Sequence, residues 1–263
     1  MKNLLLAGWV LWSCTTVSAE ALKKSWLTIP AGSFRPLYSV KKLAPGEKVK
    51  VAGFQLCSLA VTNREYLEFV RRCPQWRRSR VPRVFAEAGY LRHWKGDLDT
   101  GTGVADSPVN FVSWFAARAY CRDAGLRLPS MMEWEYAARA STSKPDGEAD
   151  AAFQRQILAW YGQPTRSQLP PVGGGMRNCY GAYDMHGLVW EWVDDFTGVL
   201  MEGEGRGGQS LDRNLFCAAG AAGGADPRDY PAYMRFAFRS SLKASYCLGN
   251  LGFRCARGPG GKP

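Results

Sequence analysis

The amino-acid sequence predicts an α+β fold with little regular secondary structure, and three observations predict it. A strand-like run enters a turn near the start. Three short helical patterns with side-chain caps follow, and long stretches rich in Arg, Pro and Gly separate the regular pieces. No internal repeat divides the chain. With 263 residues, 46% of them hydrophobic, it can bury one sizeable core.

The first 19 residues read as a secretory signal: Lys2, the apolar run Leu4 to Trp12, and a cleavage site at Val17-Ser18-Ala19. Residues 20–263 are then one domain, expected in the periplasm or outside the cell. The apolar run is too short to span a bilayer, and no later segment is suited to it. Ile29-Pro30-Ala31-Gly32-Ser33-Phe34 reads as a strand entering a turn. From Val61 a helix is expected, with Thr62 or Asn63 at its N-cap and Tyr66, Phe69 and Val70 on one face. Residues 74–107 should be irregular.

A second helix is capped by Ser113 and closed by Gly125. After Pro129, Ser130-Met131-Met132-Glu133 is a capping box that opens a third, with Trp134, Tyr136 and Ala137 as its packed positions. Residues 141–171 are polar. The Gly-rich stretch 202–208 lacks the following G-K-[ST] of a phosphate cradle and reads as a surface loop. In Met234-Arg235-Phe236-Ala237-Phe238-Arg239, strand alternation would put both arginines on one face, turned to a substrate groove or paired with acids.

Formal charge is +11, and loss of Lys2 with the signal lowers it to +10. Much of the excess lies in Arg71, Arg72, Arg77, Arg78, Arg80 and Arg83. In an exported protein this run reads as a solvated face or a docking patch for an acidic partner, not a nucleic-acid site. Seven cysteines follow the signal, at 57, 73, 121, 179, 217, 247 and 255. Export favours disulfides, and the odd number leaves at least one thiol free or otherwise bound. Cys57 and Cys73 flank the first helix and could bridge.

The densest chemistry lies in Gly181 to Phe196, GAYDMHGLVWEWVDDF. Trp190 and Trp192 bracket Glu191, and Asp184 lies seven residues earlier. A carboxylate between rings that leave water needs a counter-charge, a set of donors or a metal. Hard oxygens converging near tight glycine turns suit calcium. The simpler alternative is a buried strand whose Glu pairs with one of the 34 Lys and Arg residues.

Five motifs resemble those of the formylglycine-generating enzymes and their relatives, the sulfatase-modifying-factor family. I-P-A-G-x-F falls on Ile29 to Phe34, and V-T-N-x-x-Y-x-x-F on Val61 to Phe69. V-S-W…A-Y-C…G-x-R-L-P-[ST]-x-x-E-W-E-Y-A runs from Val112 to Ala137. G-L-Y-D-M-x-G-N-V-W-E-W falls on Gly181 to Trp192, with Leu188 in place of Asn, and N-L-G-F-R-C on Asn250 to Cys255. The resemblance implies the formylglycine-generating-enzyme fold, akin to C-type lectins. It implies one calcium held by side chains of Asp184 and Glu191 and carbonyls of Gly187 and Val189. It also implies a Cys121–Cys255 disulfide, whose long loop would stabilise by about 4–5 kcal/mol in the entropic picture. A second family disulfide would sit at Ala138 and Phe236, where both cysteines are missing together. The A-N-x-x-G segment of another family calcium site is also missing, so no second calcium is expected.

Formylglycine-forming members hold Cu(I), a soft ion suited to thiolates, between two cysteines about five residues apart. They use oxygen to turn a substrate cysteine into an aldehyde. Counted back from Leu251-Gly252-Phe253-Arg254-Cys255, the second of those cysteines falls on Pro231, and the first is best matched by Cys217. Cys217 is therefore the candidate catalytic and copper residue, with a structural disulfide as its alternative. Trp190, Trp192, Arg235 and Arg239 are the candidate substrate-binding residues. His93 and His186, far apart and alone, argue against zinc or histidine-bound iron. Asp194-Asp195 reads as an acid/base pair or a solvated loop.

Val84 to Trp94, His186 to Phe196 and Arg213 to Cys217 resemble one branch in particular, the exported NirV type found beside copper nitrite reductase in denitrifying bacteria. The function expected is an accessory or maturation factor for a protein or peptide partner, such as an exported copper enzyme. Formylglycine formation is not expected, because one copper cysteine is missing. The alternatives are a copper- and oxygen-dependent oxidoreductase acting on a protein side chain, and copper handling without turnover.

Overall fold

The computed structural model describes residues 23–36, 47–164, 166–196 and 230–261. The early strand run splits in two, because Pro30 has no N–H for a ladder and the chain turns there. β1 (Trp26–Ile29) pairs antiparallel with β4 (Phe54–Cys57), and β4 pairs antiparallel with β7 (Ala256–Arg257). β2 (Gly32–Phe34) forms a separate antiparallel pair with β3 (Val49–Val51). The two-residue strands β5 (Trp190–Glu191) and β6 (Leu251–Gly252) run parallel. Both ends of the described chain thus meet in one sheet.

The helices follow their caps. In α1 (Asn63–Arg72) Thr62 accepts from the Glu65 N–H while Glu65 reaches back to the Thr62 N–H, and Tyr66, Phe69 and Val70 are buried. In α2 (Trp114–Asp123) the Ser113 side chain accepts from the Ala116 N–H, and Gly125 ends the turn with φ of 66°. Ser130 and Glu133 form the reciprocal box of α3 (Met131–Ala138), which buries Trp134 and Ala137. Residues 74–107 contain one short 3-10 turn, Pro74–Trp76, and are otherwise irregular, as expected.

Two helices differ from the expectation. The stretch read only as polar contains α4 (Ala151–Tyr161), capped by Asp150 and anchored by Phe153 and Ile157. The Met234–Arg239 run is not an alternating strand but part of α5 (Tyr230–Ser240), with Pro231 in its first turn. Residues four apart share a face in both geometries, so the arginine spacing was ambiguous.

Cys121 and Cys255, the pair implied by the resemblance, lie side by side in the core with sulfurs 3.3 Å apart. Cys57 and Cys73 are not joined. Cys57 is buried opposite Cys255, donating its N–H to the Cys255 carbonyl at 2.9 Å, whereas the Cys73 thiol donates to Asp123. Cys217 lies outside the described residues.

Candidate functional cleft

The two carboxylates of the Gly181–Phe196 stretch go to different environments. Glu191 is 5% exposed and accepts from Arg254 Nε at 2.7 and 2.9 Å and from Trp134 Nε1 at 2.7 Å. Arg254 is fully buried and also donates to the carbonyls of Cys57, Ser58 and Tyr183. Donors on both sides satisfy this pair, which is the arrangement a buried ion pair needs. Asp184 adopts a left-handed backbone (φ 58°) and accepts from the N–H groups of Gly173 at 2.6 Å and Gly175 at 2.8 Å. Burial raises its pKa. A Cβ on Gly175 would stand 2.3 Å from the Asp184 carboxylate, so this approach requires glycine.

In this geometry the two side chains of the expected calcium set, Asp184 and Glu191, already have partners within the protein. Glu191 spends its oxygens on Arg254 and Trp134, and Asp184 spends its own on two amides. Among the described residues no group of three or more His, Cys, Asp or Glu is arranged to hold a metal. The buried strand with an ion-paired Glu is the arrangement observed.

The tryptophans separate as well. Trp192 is fully buried and donates its indole N–H to the Val112 carbonyl at 2.9 Å, so it is core and cannot contact a substrate. Trp190 is half-buried, with ring centroids 4.5 Å from Phe238, 5.0 Å from Tyr161 and 5.2 Å from Trp160. It lines a cleft of about 830 Å³. Trp160 and Tyr161 extend its aromatic wall, Pro164, Pro170 and Pro171 its rim, and Asp184, His186 and Asn250 its polar positions.

Arg235 and Arg239 are not substrate contacts in this cleft. Both clamp the partly buried Glu135 of α3, Arg235 through Nε and Nη2 at 2.8–3.0 Å, and Arg235 also donates to the Tyr161 hydroxyl at 3.2 Å. The two guanidinium groups overcome the cost of burial and hold the Glu135 pKa down to about 2. Together they fix α5 onto α3. Ala138 and Phe236, the expected positions of the missing second disulfide, line the same small cavity of about 60 Å³.

His186 is a packing residue. It is 4% exposed, bonds the Ala138 carbonyl at 2.8 Å and packs between Trp134 and Phe153. Burial lowers its pKa to about 3. The Asp194-Asp195 pair also divides: Asp194 meets Arg118 at 3.2 Å, and Asp195 accepts from the Met131 N–H at 2.6 Å, supporting the start of α3. Neither lines the cleft. Sequence reasoning missed Trp160, Tyr161 and Asn250. The Asp150 cap followed by Phe153, Ile157 and Trp160 was the available signal for the first two.

Residues 15–259 match the Sulfatase-modifying factor enzyme 1-like domain family. The chain belongs to this family. Its fold is accordingly that of the sulfatase-modifying-factor domain, with few helices and little regular structure. The inactive C-alpha-formylglycine-generating enzyme 2 of Bos taurus is 28% identical over 262 residues, covering 83% of this chain and 82% of that protein. The formylglycine-generating enzyme of Streptomyces coelicolor is 32% identical over 195 residues, 62% of this chain and 58% of that enzyme. The crystal structure of CarF covers 90% of this chain and 98% of its own, at 16% identity and a TM-score of 0.48.

Proposed function

We propose that this sulfatase-modifying-factor domain is an exported accessory factor that grips an extended segment of a partner protein and assists its maturation without forming formylglycine. The observation that carries this reading is the cleft of about 830 Å³, walled by Trp160, Tyr161 and Trp190 and floored by buried Asp184. Aromatic faces give a peptide large contact area, while a few fixed polar groups set its register. Pro231, in the first turn of α5, holds the position counted for the second copper cysteine, which supports loss of the oxidase chemistry. The bovine relative is by name an inactive enzyme, in keeping with a domain kept for binding. The signal-like residues 1–19 support a periplasmic or secreted location. The NirV-type segments Val84 to Trp94 and His186 to Phe196 support an exported copper enzyme, such as nitrite reductase, as the partner.

The test combines crosslinking with metal titration. A photoreactive side chain at Leu188, on the cleft wall, should crosslink an exported protein in the producing cell, and Trp190→Ala should abolish the adduct. Cu(I) titration against a competing chelator should give the same curve for the mature protein and its Cys217→Ser variant. Tight one-to-one binding lost in Cys217→Ser would sink the proposal in favour of the oxidoreductase or copper-handling readings. Absence of any cleft-dependent adduct would sink the binding role.

A further inference from the structure

We propose that the irregular segment 78–98 is a docking face for an anionic lipid headgroup layer. The described residues expose four large hydrophobic side chains. Three of them lie here: Val84 at 70%, Phe85 at 41% and Leu98 at 41%. The same segment carries five exposed cations, Arg78, Arg80, Arg83, Arg92 and Lys95. Arg78 donates to the Trp94 carbonyl at 2.7 Å, and Arg92 lies 4.3 Å over the Phe111 ring. None of the five has an ion-pair partner among the described residues, whereas exposed Arg64, Arg71 and Arg72 are paired to Asp106, Glu68 and Asp123.

The acids in and next to the segment each accept from a backbone N–H. Glu87 accepts from the Cys247 N–H, Asp97 from the Ser79 N–H and hydroxyl, and Asp99 from the Gly101 N–H. With five cations against the two carboxylates Glu87 and Asp97, the segment keeps a net positive charge.

The segment is preformed. Phe85 and Ala86 donate to the Pro82 carbonyl, Arg80 and Val81 to the Arg77 carbonyl, and the Ser79–Asp97 bonds tie the Arg-rich turn to the turn carrying Leu98. Phe85 rests its ring on Trp76 and Phe115, while Val84 beside it stays exposed. Exposed apolar side chains in a segment of unpaired cations suit a headgroup layer, which takes apolar groups at its acyl boundary and attracts positive charge. Guanidinium forks suit phosphate oxygens, and surface cations add attraction to anionic lipid. This face is separate from the cleft, so the inference stands whether or not the cleft binds a peptide.

The mature protein should be sedimented with vesicles of phosphatidylcholine containing about 30% phosphatidylglycerol, and with pure phosphatidylcholine, at low salt. We expect at least about tenfold more binding to the anionic vesicles, lost in high salt. Arg80→Glu/Arg83→Glu should remove most of it, and Val84→Asp, at the most exposed of the three apolar side chains, should do the same. Both variants should keep the parent's melting temperature, which separates lost docking from misfolding. Equal binding to both vesicle types, or variants that bind like the parent, would overturn the proposal. So would a lack of vesicle binding alongside Arg80- and Arg83-dependent capture of poly-glutamate, which would assign the face to a carboxylate-bearing protein.

Discussion

The molecule uses arginine in two opposite ways. In the core, Arg254, Arg235 and Arg239 are at most 7% exposed, and each is matched to a glutamate. On the surface, Arg78, Arg80, Arg83 and Arg92 are exposed and have no ion-pair partner among the described residues. A buried guanidinium must be matched, because an unpaired charge away from water costs several kcal/mol. An exposed one is solvated and contributes little to stability, so nothing in the fold requires four of them together. The core arginines hold the β4–β7 sheet, the Trp190–Glu191 strand and α5 in place. The surface arginines are available to something outside the chain.

This comparison breaks most sharply at Arg254. Arg254→Met leaves the Glu191 carboxylate buried with only the Trp134 N–H, and should cost about 3–5 kcal/mol in urea unfolding. Removing both partners, in Glu191→Leu/Arg254→Met, should recover much of that loss. If the double variant were as unstable as the single one, the pair would be holding more than its own charges. The same saturation of Glu191 predicts that millimolar calcium or a chelator leaves the melting temperature unchanged; a clear rise with calcium would reinstate the ligand set.

Acid should weaken the core next. Burial lowers the His186 pKa to about 3 and the His93 pKa to about 4, from the ordinary 6.5. Below pH 6.5 the unfolded chain therefore takes up protons that the folded chain refuses. Stability should fall by about 1.4 kcal/mol per pH unit for each imidazole, until the folded pKa values are reached. Glu135, held near 2 by its arginines, adds a loss in the same direction from its ordinary 4.5 downward. A flat profile between pH 6.5 and 4.5 would mean that both imidazoles titrate freely in the fold.

What the sequence made legible was local. Thr62 with Glu65 and Ser130 with Glu133 sit three residues apart, so their capping boxes could be read directly. Glu191 announced that it needed a partner, but Arg254 lies 63 residues away and was one cation among 34. Arg235 and Arg239 share a face on a strand or a helix, and only the contact with Glu135, 100 residues earlier, decides the matter. Trp190 and Trp192 look alike in sequence. Only tertiary packing sends one to the cleft and the other into the core. Motifs could carry the family fold, but the aromatic wall needed α4 and α5 to be brought against β5.

The smallest effect on stability should come from the surface. Arg80→Glu/Arg83→Glu changes formal charge by four units, yet neither residue has an ion-pair partner among the described residues. The unfolding free energy should therefore stay within about 0.5 kcal/mol of the parent, as for surface changes away from special features. A rise in stability would point to relief of repulsion among Arg77, Arg78, Arg80 and Arg83, which fall within seven residues. A loss of several kcal/mol would instead mean that these arginines are part of the fold. They would then belong with Arg254, and the contrast between core and surface would fail.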